Sequence, residues 1–530
     1  MFRLTFTVSA LLSLATIVSA DLRSDLTGKG FTVSFPGDSQ YSSLSQAFNR
    51  RYTFQPAAIA LPTTPQHVSA IITASAANNF QVVARSGGHS YIANGLGGEN
   101  NAVVVDMKNF NSITVDSSSG NAVVGTGNRL GDIALALNNQ GRAIPHGTCP
   151  YVGIGGHSGY GGYGFTARMW GLTLDNILSI NVVLADGSIT TASSSTNSDL
   201  FWALRGAAGS FGITTSITFK TYPVPTSATI LGYNWDLTAA DAANALGTFQ
   251  TFVQGNIPAQ FGPEITLSKG SAQGRVVFSL GGGWYGPANG LAAVIAPFLN
   301  AMPAPRDSGT NVGTWINSVA SLTGGLPLNT ASGPDTHDTF YAKSLTTPQA
   351  SPINDAARRA FMTYLANDGF NANTGWFVQA ELYGGSNSAV NAVGADATAY
   401  AHRSSMFTFQ FYSYSFNSNP PYPATGLTFL DGMVNSLINN SPSGWDYGAY
   451  PNYIDDRLQN WQQLYFGSHY ARLHDLKNTY DPRGVFTFPT GIQGDVVPAP
   501  TDVAIHPNGN TAKCLDVRAA VYANGTPVQM

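Results

Sequence analysis

Two glycine-rich loops each carry one side chain capable of chemistry. The first, Ala84–Tyr91, reads ARSGGHSY and sets His89 behind two glycines at the end of the apolar run FQVVA. The second, IPHGTCPYVGIGGHSGYGGYGF, carries Cys149, one of two cysteines in the 530 residues. Seven of the twelve residues 153–164 are glycine. Glycine is costly to order, so this density implies backbone that approaches something closely. Consecutive glycines also present N–H groups that cradle an anion such as a pyrophosphate. With a third loop, RGAAGSFG at 205–212, a long phosphate-bearing cofactor fits across all three. The first loop alone does not specify that cofactor, since glycine also marks plain turns and a lone histidine is usually a loop residue; the second, with its seven glycines, is the stronger signal. A further cluster is periodic. Strand alternation in WFVQAEL puts Phe377, Gln379 and Glu381 on one face, a polar pair beside an aromatic ring on a candidate pocket wall.

The elements that hold these residues can be read in outline. Pro-Thr-Thr-Pro precedes a helix with apolar spacing from Val68 to Ala76. QVVARSGGHS is a short buried strand running into the first loop. Strands and a helix follow, with Gly141 as the helix stop. NILSINVVLADGSITTAS predicts a hairpin with an Asp-Gly turn. Residues of about 55–225 therefore form an α+β unit of short mixed strands, without the strand–GxGxxG–helix order of a dinucleotide fold. From 226 the pattern changes to longer helices between strands, as expected for an antiparallel sheet with helices over one face. The expected division is a leader at 1–20, units at 21–225 and 226–445, a compact segment at 446–492 that returns to the first unit, a Pro/Gly/Asn linker at 493–512, and a tail at 513–530.

Composition narrows the partners. Charged residues are 10 % of the chain, against about 25 % in an average soluble protein. The net charge is −4 and no basic run occurs, so nucleic acid and anionic membranes are poor partners. The opening MFRLTFTVSALLSLATIVSA has the Arg3, apolar stretch and small-residue end of a secretory leader cut after Ala20. A secreted, extracellular protein is expected. Cys149 and Cys514 either pair across most of the chain or are odd thiols that need a reason. No metal site is indicated.

RSGGHSY, CPYVGIGGHSGYGGYGFTARMWGLTLDNI, LRGAAGSFGI and YPNYIDD, in that order, resemble the berberine-bridge-type FAD-linked oxidases of the vanillyl-alcohol-oxidase fold, and among them the fungal gluco-, cello- and chito-oligosaccharide oxidases. The resemblance spans roughly 30–492. It implies an FAD held by Arg85, Ser86, Gly87, Gly88 and Ser90, by Val152, Gly153, Gly155, Gly156 and Gly159, and by Gly212 and Ile213. It implies that His89 bonds the flavin 8α position and Cys149 bonds C6, so that the thiol is no half-disulfide. Two electron-withdrawing tethers should raise the flavin potential and fix the ring in an open site. His157 has no tethering counterpart and reads as structural. Val152 matches a gate position where a small residue accompanies O2 access. The base is a tyrosine of the Tyr450-Pro451-Asn452-Tyr453 segment: Tyr453 aligns with it and Tyr450 with the substrate site, with the reverse assignment open. Its carboxylate partner is Glu381, where relatives carry Asp, so the pairing geometry of the longer side chain is open. Tyr91, Tyr163, Phe377, Gln379 and Gln410 match substrate positions, suited to the C–H face and hydroxyls of a pyranose.

The resemblance implies oxidation of the anomeric C1 hydroxyl of a reducing oligosaccharide, of the gluco or cello type, to a lactone, with O2 leaving as H2O2. The alternatives are oxidation of an alkaloid or other secondary-metabolite alcohol on the same fold, and a non-catalytic sugar-binding flavoprotein. The tail piece KCLDVRAAVYANGTPVQM resembles one partial repeat of a ricin-type carbohydrate-binding module, a possible contact to polysaccharide.

Overall fold

The computed structural model describes residues 22–495, so the leader, most of the linker, the tail and Cys514 lie outside the described residues. The strands, in chain order, begin with β1 (Thr32–Ser34), β2 (Ala58–Leu61), β3 (Val82–Arg85) and β4 (Val103–Asp106). They form a sheet ordered β1–β2–β4–β3, in which β4 runs parallel to both its neighbours. Parallel strands covered on both faces should read as continuous apolar runs. β2 and β4 do so, and both are buried along their whole length. The helix Pro65–Ala77 crosses over this sheet, started by the Thr64 side chain accepting the His67 N–H. It turns Val68, Ile71 and Ile72 inward. β3 ends at Arg85, where the first glycine loop begins. The Arg85 guanidinium bonds Asp106 Oδ2 of β4 at 2.6 Å, which roots that loop in the sheet.

A second sheet contains β5 (Ile113–Val115), β6 (Ala122–Gly125), β8 (Ile177–Val183), β9 (Ile189–Ser193) and β10 (Ile213–Phe219), ordered β5–β6–β10–β8–β9 and antiparallel throughout. The hairpin expected from the Asp-Gly turn is β8–β9, with Gly187 at φ +84°. A minor pair, β7 (Arg142–Ala143) and β11 (Tyr222–Pro223), closes the strand out of this unit. The second glycine loop runs from β7 to the short helix Ile154–Gly159.

The third sheet has seven strands: β12 (Ala228–Thr238), β13 (Phe261–Lys269), β14 (Arg275–Trp284), β15 (Asp307–Gly313), β16 (Phe340–Pro348), β17 (Gly375–Leu382) and β18 (Ser405–Tyr414). Their order is β15–β12–β14–β13–β17–β18–β16, all antiparallel. Helices Ala239–Gln254, Leu291–Leu299, Asp355–Asn367 and Ala424–Ile438 cover one face. Trp376, Val378, Ala380 and Leu382 of β17 share that core with Phe249, Phe361 and Met433. Alternation then leaves Phe377, Gln379 and Glu381 on the opposite face, turned toward the glycine loops. β13 and β18 obey the same phase, with Leu267 and Phe409 in the core and Glu264 and Gln410 opposite.

Residues after 446 return to the first unit. The backbone N–H of Val82 bonds Val485 O at 2.8 Å, beside β3. Lys477 in helix His469–Tyr480 is buried and donates to Ser210 O, Phe486 O and Asp481 Oδ2 at 2.8, 2.9 and 2.8 Å. Among the described residues no helix is long and apolar enough to cross a membrane.

Candidate active site

The first two glycine loops meet backbone to backbone. A Cβ on Gly87 would strike the Gly153 backbone, and one on Gly153 would strike Gly87, so no larger residue fits at either position. Ser86 ties the contact together. Its hydroxyl donates to Thr126 O at 2.5 Å and accepts the Gly155 N–H at 3.2 Å. Gly88 sits at φ +80°, the left-handed region that lets the chain swing His89 back over the cleft. The cleft is lined by Arg85–Tyr91, Val152, Gly153, Gly155, Gly156, Gly209, Gly212 and the turn Pro451–Ile454. Two expected cofactor contacts stand behind it: Ile213 sends its side chain into the apolar core, and Gly159 packs against Ala208.

His89 and Cys149 are both within reach of the Asp335 charge. The His89 ring stacks on Phe48, with centroids 4.0 Å apart, and its Nε2 lies 3.0 and 3.1 Å from the two oxygens of Asp335. Cys149 is free and exposed within its loop, while the enclosing protein and the Asp335 carboxylate push its thiol upward. His157 is structural, as its sequence context suggested. Its Nε2 accepts the Gly147 N–H at 3.1 Å, and burial takes its pKa down to about 3.

These residues fit FAD. The cleft is long, passes three glycine loops and offers bare backbone N–H groups where side chains would intrude. The Arg85 charge is already matched by Asp106, so the pyrophosphate side relies on backbone donors. The His89 imidazole lines the cleft, and the Cys149 thiol has no disulfide partner among the described residues.

The third sheet supplies the acid–base side. Tyr453 donates its hydroxyl to Glu381 Oε1 at 2.5 Å. The other oxygen, Oε2, is buried and has no partner. Burial raises the Glu381 carboxyl well above its usual range, and the charge of Glu264 raises it further. Glu264 lies directly opposite Glu381 across β13 and β17, and accepts hydrogen bonds from Gln379 (2.8 Å) and Thr266 (3.0 Å). Burial and Glu381 in turn raise the Tyr453 phenol. Tyr91 stacks on Tyr453 at 5.8 Å with the rings 7° from parallel, and its hydroxyl accepts from Gln410 Nε2 at 2.5 Å. Phe377 stacks on Tyr412 at 5.0 Å, an apolar wall beside these polar groups.

Two expected site residues lie deeper. Tyr450 is fully buried, and its hydroxyl accepts the Gly162 N–H (2.8 Å) and the Asn452 amide (3.0 Å). That phenol is turned into the second glycine loop, so the reverse assignment, Tyr450 as base, has no support in its placement. Tyr163 stacks on Tyr383 at 4.5 Å within the core under the carboxylates. The turn Pro451–Tyr453 is held at its far end by Asp455, which accepts from Tyr341 (2.8 Å) and from Lys343 (2.7 Å) of β16.

Sequence reasoning missed Glu264, Asp335, Phe48, Asn452 and Tyr412. Glu264 left one signal, the sole acid in the apolar strand FGPEITL. Asp335 sits in an irregular stretch and left none.

Known proteins resemble this chain in sequence and fold. An FAD binding domain family matches residues 56–193, and a family described as berberine and berberine-like matches 449–493. A chitooligosaccharide oxidase of Gibberella zeae is 36 % identical over 464 residues, covering 86 % of this chain and 91 % of the relative. The chain belongs to the berberine-type FAD-linked oxidoreductases. Solved structures of this family superpose closely. The carbohydrate oxidase of Microdochium nivale, in complex with a substrate analogue, has a TM-score of 0.83 at 34 % identity over 89 % of this chain and 99 % of its own. A glucooligosaccharide oxidase from Acremonium strictum, whose FAD is 6-S-cysteinyl and 8α-N1-histidyl, has a TM-score of 0.83 at 32 % identity over the same shares. The fold is therefore the vanillyl-alcohol-oxidase type, and the chain is an FAD-dependent oxidoreductase.

Proposed function

We propose that this protein is a secreted carbohydrate oxidase that converts the anomeric C1 hydroxyl of a reducing oligosaccharide, of the gluco or cello type, to a 1,5-lactone with release of H2O2. The observation that carries the reading is the buried Tyr453–Glu381 pair on a wall shared with Tyr91, Gln410 and the Phe377–Tyr412 stack. FAD held by the glycine loops would supply the two-electron acceptor for C1, with O2 as the final oxidant.

The chain's own residues handle the proton and the pose. Tyr453 already shares its proton with Glu381 Oε1, so moving that proton onto Glu381 frees the phenolate oxygen to take the C1 hydroxyl proton. An ordinary carboxylate is far less basic than a phenolate, at roughly 4 against 10. Burial and Glu264 raise Glu381 and make it a better acceptor than an exposed carboxylate, while burial raises the Tyr453 phenol with it. Stacking on Tyr91 fixes the plane of the Tyr453 ring. Tyr91 accepts from Gln410, which leaves its own O–H free to donate to a sugar oxygen and Gln410 Oε1 free to accept from a sugar hydroxyl. The Phe377–Tyr412 pair offers an apolar face to pyranose C–H bonds. His89 and Cys149 are the covalent attachment points to the 8α and C6 positions, and the small side chain of Val152, at the cleft edge, leaves room for O2. The reading is supported by the named activities of the relatives and by the 6-S-cysteinyl, 8α-N1-histidyl FAD of the Acremonium strictum glucooligosaccharide oxidase.

The test is H2O2 release by the purified protein on reducing oligosaccharides and on their borohydride-reduced alditols. The reading expects oxidation of the first and none of the second, which lack an anomeric hydroxyl. Oxidation of a non-sugar alcohol with no response to any reducing sugar would overturn it.

A further inference from the structure

Asp335 stands at the attachment end of the cleft with no part in sugar oxidation. Its loop, between the helix Trp315–Ser321 and β16, is pinned on both sides. Thr330 donates to Asp132 through its N–H (3.0 Å) and hydroxyl (2.6 Å). Gly333 O accepts the Tyr151 hydroxyl at 2.7 Å, and the His337 ring reaches Ala47 O at 2.7 Å. The carboxylate is thus delivered to one place: both oxygens face His89 Nε2, and Oδ2 also faces Arg129 at 3.4 Å. Phe48, stacked on the imidazole, prevents the ring from turning away. His89 and Asp335 are largely buried, with side-chain exposures of 11 % and 18 %.

We propose that Asp335 is the positioning residue for covalent flavin attachment at His89: it holds the Nε2–H tautomer, presents the Nδ1 lone pair to the cleft and accepts the Nε2 proton as the bond forms. The inference rests on the reading of His89 as an attachment point. A carboxylate only accepts, so the proton of the neutral ring is assigned to the nitrogen that faces it, and the other nitrogen is the nucleophile. In the step, an Nδ1–C bond forms at the flavin 8α carbon and one C–H bond there breaks. The Nε2 proton and the methyl proton are released, and two electrons pass through the flavin ring to O2, which takes up two protons and leaves as H2O2. Without the carboxylate, the ring distributes its proton between the two nitrogens, and the charge that develops on the imidazole has no partner. Arg129, 3.4 Å from Oδ2, places a positive charge on the far side of the carboxylate.

The experiment isolates one bond by working in Cys149→Ala, where only His89 can attach. Full-length Cys149→Ala, and the same protein carrying Asp335→Asn or Asp335→Glu, are purified and acid-precipitated. Intact mass and pellet fluorescence then give the fraction with covalent flavin. Flavin retained through gel filtration before acid treatment reports the folded cleft separately. We expect acid-stable flavin in Cys149→Ala, at least a tenfold smaller fraction with Asp335→Asn, and partial recovery with Asp335→Glu. Equal covalent flavin with and without Asp335→Asn would overturn the role of Asp335. Absence of acid-stable flavin from Cys149→Ala itself would overturn attachment at His89, and the role of Asp335 with it.

Discussion

Tyr453 donates its hydroxyl to one oxygen of Glu381 at 2.5 Å. A phenol so placed can pass its proton to a carboxylate whose burial makes it receptive. Tyr453→Phe deletes that oxygen while keeping the ring stacked on Tyr91. Its expected effect is on the chemical step: kcat should fall by about 10²–10⁴, the range for removing a positioned acid or base, while KM stays within a few-fold. Steady-state kinetics on one oligosaccharide check this. A loss confined to KM would make Tyr453 a binding group. Tyr450, three residues earlier, differs only in where its hydroxyl goes, into the Gly162 N–H at 2.8 Å.

At the scale of elements, β17 between β13 and β18 does most of the positioning. Its apolar phase fixes which face meets the helices, and the other phase delivers Phe377, Gln379 and Glu381 to the cleft. That much was legible from WFVQAEL alone, because alternation is a local property. The neighbour across the ladder was not. Glu264 lies opposite Glu381 only because β13 and β17 pair in this register, a long-range fact that no local pattern encodes. The same holds for Asp335 beside His89. The glycine loops were legible for the opposite reason, since glycine density marks close backbone approach wherever it occurs. Gly87 and Gly153 meet as that reading requires, whereas Ile213 and Tyr163 turned into the core.

The cross-strand pair makes a prediction of its own. Glu264 raises Glu381, and Glu381 must be ionised to take the Tyr453 proton. The rate should therefore rise with pH through the raised Glu381 value. Glu264→Gln removes the charge and lets that value fall back, so the acid limb of kcat/KM should move to lower pH. An unmoved limb would separate the pair from catalysis. Stability should run the opposite way with pH. Both carboxyls have raised folded values, so their contribution is complete below the unfolded carboxyl range and is lost as pH rises through the folded values. Glu264→Gln should thus gain Tm relative to the parent as pH increases.

At the scale of the whole molecule, the site exists only where three sheets and the segment after 446 converge. Lys477 is the fastener of that segment: it is 1 % exposed, pairs with buried Asp481 and caps Ser210 O beside the third glycine loop. Lys477→Ala leaves Asp481 buried without its cation, a change that costs about 3–5 kcal/mol. Denaturant unfolding should show that loss. A variant as stable as the parent would mean the segment is held by apolar packing alone. The Tyr453 turn hangs from the same segment through Asp455 and Lys343, so the fold's long return places the proton acceptor over a cleft built by residues some 360 positions earlier.

The central claim is oxidation at C1, with Tyr453 as the acceptor of that hydroxyl's proton. The most direct measurement is product analysis of a reducing cello-oligosaccharide after turnover, by mass spectrometry with fragment assignment, alongside H2O2. The account predicts one added oxygen located on the reducing-end residue as an aldonic acid, and one H2O2 per sugar consumed. Oxidation at C6 or at the non-reducing end, or an unaltered sugar, would contradict it.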